Sequence, residues 1–231
     1  PYPTPSRCVW PRRAMPQLEC EAADSLGLTL YERMQRAGQA SYERIRQQWP
    51  QAQHWLILCG HGNNGGDGYV VARLAQAAGL SVTLLACDSE RPLPEEAQQA
   101  RDGWLAAGGV IHAADAAWPE NIDVIVDALL GTGLNRAPAA PYQSLIEQIN
   151  AHTAPVFAVD IPSGLVAATG TTPGAAVVAD CTLSMIALKP GQLTGKARDH
   201  VGVLHCATLG LDTFLAGEPA PIHRYAAADL P

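Results

Sequence analysis

No stretch of this sequence offers the roughly 18 consecutive apolar residues that a membrane-spanning helix requires, so no span is expected. The proline-rich start, with Pro1, Pro3 and Pro5, lacks the apolar core of a secretory signal. No run of Lys and Arg forms a stripe able to neutralise a phosphate backbone. With a formal charge of -7, that argues against nucleic acid as a partner. The six cysteines, Cys8, Cys20, Cys59, Cys87, Cys181 and Cys206, stand far apart with no C-x-x-C pair. Such spacing argues against a zinc-thiolate site and fits reduced thiols better than a disulfide framework. Together these absences predict a soluble, cytoplasmic protein.

What is present suits one α/β domain, because 231 residues, 48% of them hydrophobic, can bury one sizeable core. Between Pro16 and Trp49, Leu18, Ala22 and Leu26, then Leu30, Met34, Ala37, Tyr42 and Ile45, recur at helical spacing. This predicts two helices broken at Gly27. Short apolar runs then alternate with helical stretches. Strands are expected over 55–59, 81–86, 110–112, 122–128, 156–160, 177–188 and 201–207, and helices over 69–78, 95–107 and 141–151. Such alternation builds a three-layer αβα, Rossmann-like fold with a mostly parallel central sheet. No internal repeat interrupts it. Residues 1–15 read as an N-terminal extension, 16–216 as the domain, and 217–231, rich in Pro, Ala and Gly, as a tail or linker.

Open parallel sheets bind ligands at the carboxyl ends of their strands. Three consecutive loops fall on that edge: Gly60 to Gly68, Asp127 to Gly133, and Asp160 to Gly164. The first contains Gly60-His61-Gly62-Asn63-Asn64-Gly65, literally G-x-G-x-x-G between a strand and a helix, with Asp88 further on, so a dinucleotide-binding dehydrogenase is the first rival reading. Asp67, expected at the helix start, would cap the N–H groups there and repel the phosphate that such a fingerprint binds. Asn63 and Asn64 offer amide donors and acceptors, and Gly62, Gly65, Gly66 and Gly68 would let backbone approach a ligand closely.

The string Gly62-Asn63-Asn64-Gly65-Gly66-Asp67-Gly68 resembles the signature of the NAD(P)H-hydrate epimerase family, the amino-terminal domain of the YjeF type. Val126-Asp127-Ala128-Leu129-Leu130-Gly131-Thr132-Gly133 and Asp160-Ile161-Pro162-Ser163-Gly164 fit the same family, in the same order. The resemblance implies an isomerase that interconverts the R and S forms of hydrated NADH and NADPH (NADHX and NADPHX) at C6 of the nicotinamide ring. On matching positions it implies that Asn63, Asn64, Gly65, Gly66 and Asp67 line the substrate site. Gly131, Thr132, Gly133, Leu134, Asn135, Arg136 and Ala137 would line it too, with Asp160 contacting substrate. It further implies a potassium ion (K+) on Asn64, Asp127 and Ser163, a homodimer joined through the front helices, and a dehydratase domain following residue 231 in a longer chain.

The residues alone carry part of this. An amide, a carboxylate and a hydroxyl suit a hard cation rather than a soft transition metal. Inversion at C6 needs a proton donor and acceptor, whether through loss of water or through ring opening. A partly desolvated Asp160 at a strand end is the expected acid/base, ahead of Asp67 and His61. Lys189 is expected either to balance substrate phosphate or to be a solvated loop lysine. His54, His112, His152, His200, His205 and His223 show no paired ligand spacing and take no role. Two other readings stay open: an NAD-dependent oxidoreductase, which would need a second lobe for its substrate, and a non-catalytic nucleotide-binding module. Against the second stands the gathering of Asp67, Asp127 and Asp160 on one edge.

Overall fold

Thr29 opens the first helix by a closed capping box. Its hydroxyl accepts from the Glu32 N–H while the Glu32 carboxylate accepts from the Thr29 N–H, an arrangement worth about 1 kcal/mol. This helix, α1 (Leu30–Gln48), is the second of the two expected from the sequence; the first lies outside the described residues. The computed structural model describes residues 27–217 and two short strands, β1 (Cys8–Val9) and β9 (Ile222–His223), which pair antiparallel.

Between them run β2 (His54–Cys59), α2 (Asn63–Ala77), β3 (Ser81–Ala86), α3 (Glu95–Ala106), β4 (His112–Ala113) and β5 (Val124–Ala128). Then follow α4 (Tyr142–Ala151), β6 (Val156–Val159), β7 (Cys181–Met185), β8 (Val203–Ala207) and α5 (Asp212–Gly217). The sheet has the order β4-β3-β2-β5-β6-β7-β8 with every pairing parallel, so the expected three-layer architecture is present. Among the described residues no helix is long and apolar enough to cross a membrane.

Side-chain alternation sorts each strand between two cores. On β2, Trp55, Ile57 and Cys59 face the side covered by α1, α2 and α3, while Leu56 and Leu58 face α4. Burial on both faces is why these strands read as unbroken apolar runs. On β5, Val124, Val126 and Ala128 take the first side, which leaves Asp127 on the α4 side with Ile125, inside an otherwise apolar layer. Order reverses between β2 and β5, so chain segments leave that point in opposite directions and open a crevice at the carboxyl ends.

One boundary differs in a way that matters for function. Helix α2 begins at Asn63, not Tyr69, with Gly62 as an N-cap that makes no side-chain cap bond. Asp67 is therefore in the second turn and cannot cap the first N–H groups; the helix start is open. The glycines explain how such a poor helix sequence is tolerated. A Cβ on Gly65 would lie 2.0 Å from the Gly60 carbonyl oxygen, and one on Gly68 would lie 2.7 Å from Cys59 Sγ. Their absence lets α2 sit directly on β2. Packing thus outweighs the roughly 1 kcal/mol that each helical glycine costs. These two glycines, and Gly66 against Met34, approach protein rather than the ligand expected from the sequence.

Candidate active site

Four strand ends meet around a cavity of about 390 Å³. From β2 come His61, Gly62, Asn63, Asn64 and Asp67; from β5 come Leu129 to Gly133; from β6 comes Asp160. The fourth end, Met185 at the end of β7 with Ile186, and the wall supplied by Arg33, Met34 and Ala37 of α1 carry no mark of a site in the sequence. An amphipathic helix face carries no mark distinguishing a cavity wall from core. Gly65 and Gly66 lie buried beneath the cavity floor, and Leu134 to Ala137 form a largely exposed loop outside its lining.

Ser163 ties the second loop to the third. Its hydroxyl donates to Asp127 Oδ1 at 2.5 Å and accepts from the Leu130 N–H at 2.8 Å. Asp127 also accepts from the Ser163 N–H at 2.8 Å and the Leu129 N–H at 3.2 Å. The carboxylate is wholly buried, with no Lys, Arg or His paired to it among the described residues. Burial pushes it up to about 6 despite these donors. Asn64 packs on Gly131, one residue from Leu130, and its side-chain amide nitrogen is buried without a hydrogen-bond partner. A buried carboxylate lacking a counter-ion, a hydroxyl and the Asn64 carbonyl oxygen are oxygen ligands with one negative charge between them, which fits a monovalent hard cation; the orphaned Asn64 nitrogen is a hydrogen-bond donor and adds nothing to such a site.

Asp160 ends β6 in a left-handed conformation, with φ of 64°, and Ile186 opposite has φ of 66°. For a β-branched residue such as Ile186 this is a genuine outlier, and paired strain of this kind gathers at functional sites. Asp160 Oδ1 accepts from the Met185 N–H at 3.0 Å and from the Lys189 ammonium. Lys189 corrects one of the two sequence expectations: it is 1% exposed and so is not a solvated loop lysine. Its other donors reach Ser184 Oγ at 3.0 Å and the Met185 carbonyl at 2.9 Å, so all three are used. Gln192 closes the network, accepting from the Lys189 N–H and donating to the Asp160 carbonyl. The partly desolvated Asp160 expected from the sequence is thus also ion-paired, with no hydrogen bond to Oδ2 among the described residues, at the cavity wall.

The remaining residues take supporting positions. Asn63 donates to Glu96 Oε1 at 2.8 Å, which fixes its amide and leaves its oxygen for a ligand. His61 donates its N–H to the Tyr142 hydroxyl, and its ring bonds the Arg91 carbonyl at 2.6 Å. Burial keeps the Tyr142 hydroxyl protonated and lifts the Cys87 and Cys181 thiols to about 11, so no thiolate nucleophile stands ready at either cysteine.

The chain is 60% identical over 222 residues to the bifunctional NAD(P)H-hydrate repair enzyme Nnr of Escherichia coli K12, covering 96% of this chain but only 43% of that protein. It is 34% identical to the NAD(P)H-hydrate epimerase of Levilactobacillus brevis, covering 84% of this chain and 89% of the relative. The corresponding enzyme of Bordetella bronchiseptica is 39% identical, over 81% and 84%. The crystal structure of yeast ynu0, YNL200c, superposes with a TM-score of 0.70 at 23% identity, over 84% of each chain, and shares the fold. With the family described as YjeF-related protein N-terminus matching residues 30–191, the chain belongs to that family.

Proposed function

We propose that this chain is an isomerase that interconverts the R and S hydrates of NADH and NADPH at C6 of the nicotinamide ring, repairing the damaged cofactor. The observation that carries the reading is Asp160, a carboxylate with one oxygen anchored and the other open to a cavity at the switch point of the sheet. Proteins that align with nearly their whole length to this chain bear the name of that activity.

An ion-paired carboxylate enters the reaction as a proton acceptor, which suits ring opening over loss of water. Asp160 Oδ2 takes the proton of the C6 hydroxyl while the C6–N1 bond breaks. C6 becomes an aldehyde carbon and the electron pair passes to N1, delocalised through the ring double bond onto the carboxamide. After rotation about C5–C6, N1 adds to the other face of the aldehyde and the proton returns to oxygen. No redox partner or nucleotide triphosphate is consumed.

Potassium belongs to this reading, held by Asn64, Asp127 and Ser163; when bound it supplies the positive charge that the buried carboxylate lacks. A cytoplasmic homodimer, joined through the front helices, and a dehydratase domain in a longer chain complete it. Pure R hydrate incubated with the purified chain, without ATP or ADP, is expected to reach an R and S mixture. Chromatographic peaks that remain as unmixed as in buffer alone would refute the assignment. Light scattering on the same sample reports the dimer.

A further inference from the structure

The same sheet edge carries a second cleft, of about 680 Å³, whose floor follows β3 and β4 rather than β5, β6 and β7. His61 lines both spaces. The first cavity sits over the point where strand order reverses, between the ends of β2 and β5, and the second lies beside it over the β3 and β4 half of the sheet. In doubly wound sheets a ligand of two linked nucleotides lies across that point, one nucleotide over each half. The catalytic cavity is of a size for one such half.

We propose that the second cleft binds the adenosine phosphate half of the substrate, so that the dinucleotide lies across the edge with its hydrated ring at Asp160 and its adenosine ribose at Asp88. The substrate assumed is the one given under the proposed function. Asp88 stands just after β3, exposed; its Oδ1 accepts from the Ser89 N–H at 2.8 Å and its Oδ2 has no protein partner among the described residues. That open oxygen suits a ribose diol. Arg91 and Arg101 line the same cleft, and neither guanidinium pairs with a carboxylate among the described residues, which suits phosphate. Half-buried Leu93 and Ile111 give apolar surface for a base. The start of α2, which has no side-chain cap, lines the first cavity directly after His61, the residue that both spaces share, and its N–H groups favour the linking pyrophosphate. His61, fixed to Tyr142 and to Arg91, holds the boundary that the ligand must cross.

The test compares two substrates on the full chain: the hydrated dinucleotide and hydrated nicotinamide mononucleotide, which lacks the adenosine half. Asp88→Ala and Arg101→Ala should each raise KM for the dinucleotide about ten- to hundredfold, the effect of one lost charge-assisted hydrogen bond, with kcat within about twofold. Neither should alter kinetics on the mononucleotide. ADP-ribose, titrated by calorimetry, should bind the wild-type chain and bind both variants more weakly. Unchanged KM for the dinucleotide, or ADP-ribose binding that is absent or indifferent to both substitutions, overturns the proposal. If the wild-type chain epimerises neither substrate, it is the proposed activity that fails, and the ADP-ribose titration still decides the cleft.

Discussion

The Lys189 ammonium, buried and fully hydrogen-bonded, holds one oxygen of Asp160 and leaves the other facing the cavity. The two residues lie 29 positions apart, brought together because β6 and β7 are adjacent and both strands end in left-handed turns.

A positioning role for Lys189 makes its effects dependent on Asp160. Asp160→Asn should lower turnover about 100- to 10,000-fold, the usual size of general acid/base catalysis, with hydrate affinity little changed. Lys189→Met should lower turnover by itself, yet added to Asp160→Asn it should lower it no further, since its effect passes through the carboxylate. Removing one member of a buried pair costs about 3–5 kcal/mol, so Lys189→Met alone should melt below the double variant. Steady-state kinetics and melting curves on the three variants decide it, and additive losses in turnover would assign Lys189 a separate role.

The proposed cation site couples to pH through Asp127. Its folded value near 6 lies above the ordinary 3.8, so the native state holds the extra proton between them and stability falls as pH rises through that window. Above about pH 6 the buried charge costs on the order of 3 kcal/mol. A potassium ion beside it relieves that cost only where the charge exists. Potassium chloride should therefore raise the melting temperature at pH 8 relative to a tetramethylammonium salt, and do so far less at pH 5. Asp127→Asn should abolish the difference. An equal potassium effect at both pH values counts against the site.

Ring opening and loss of water leave different isotopic records. Hydrate labelled with oxygen-18 at C6 should keep its label through ring opening, because the oxygen stays on C6 as the aldehyde. Departure as water would replace it from solvent. Mass spectrometry of the S epimer formed from labelled R hydrate reads the outcome directly, and rapid loss of label in step with inversion removes the ring-opening route.

Legibility in the sequence followed how local each signal is. Trp55 to Cys59 reads as a buried strand because both faces of β2 are covered and every position is apolar. The run from Val177 to Leu188 reads as one strand, but the structure confines β7 to Cys181–Met185, because Ile186 turns left-handed and opens the loop that carries Lys189. The start of α2 was misplaced by six residues because Asn63 to Gly68 have low helix propensity, and only contacts with β2 and α1 make them helical. Asp127, Ser163 and Asp160 stand out because they fall in glycine-bearing loops at the carboxyl ends of strands, in motifs whose order resembles that of a known family. Lys189 does not stand out, since nothing near it in the chain announces a partner on another strand.

The glycine string after β2 has a consequence for reading related sequences. Gly65 and Gly68 are small because a carbonyl oxygen and a sulfur occupy the places where their side chains would go, and neither place belongs to a substrate. The part of the string that looks most like a ligand signature is therefore a docking seam between a helix and a strand. A protein that kept this seam but carried neutral residues where Asp127 and Asp160 stand would retain the scaffold without the proposed cation site and the proposed proton acceptor. Inheritance of the string vouches for architecture; the two carboxylates have to be checked separately before activity is assigned.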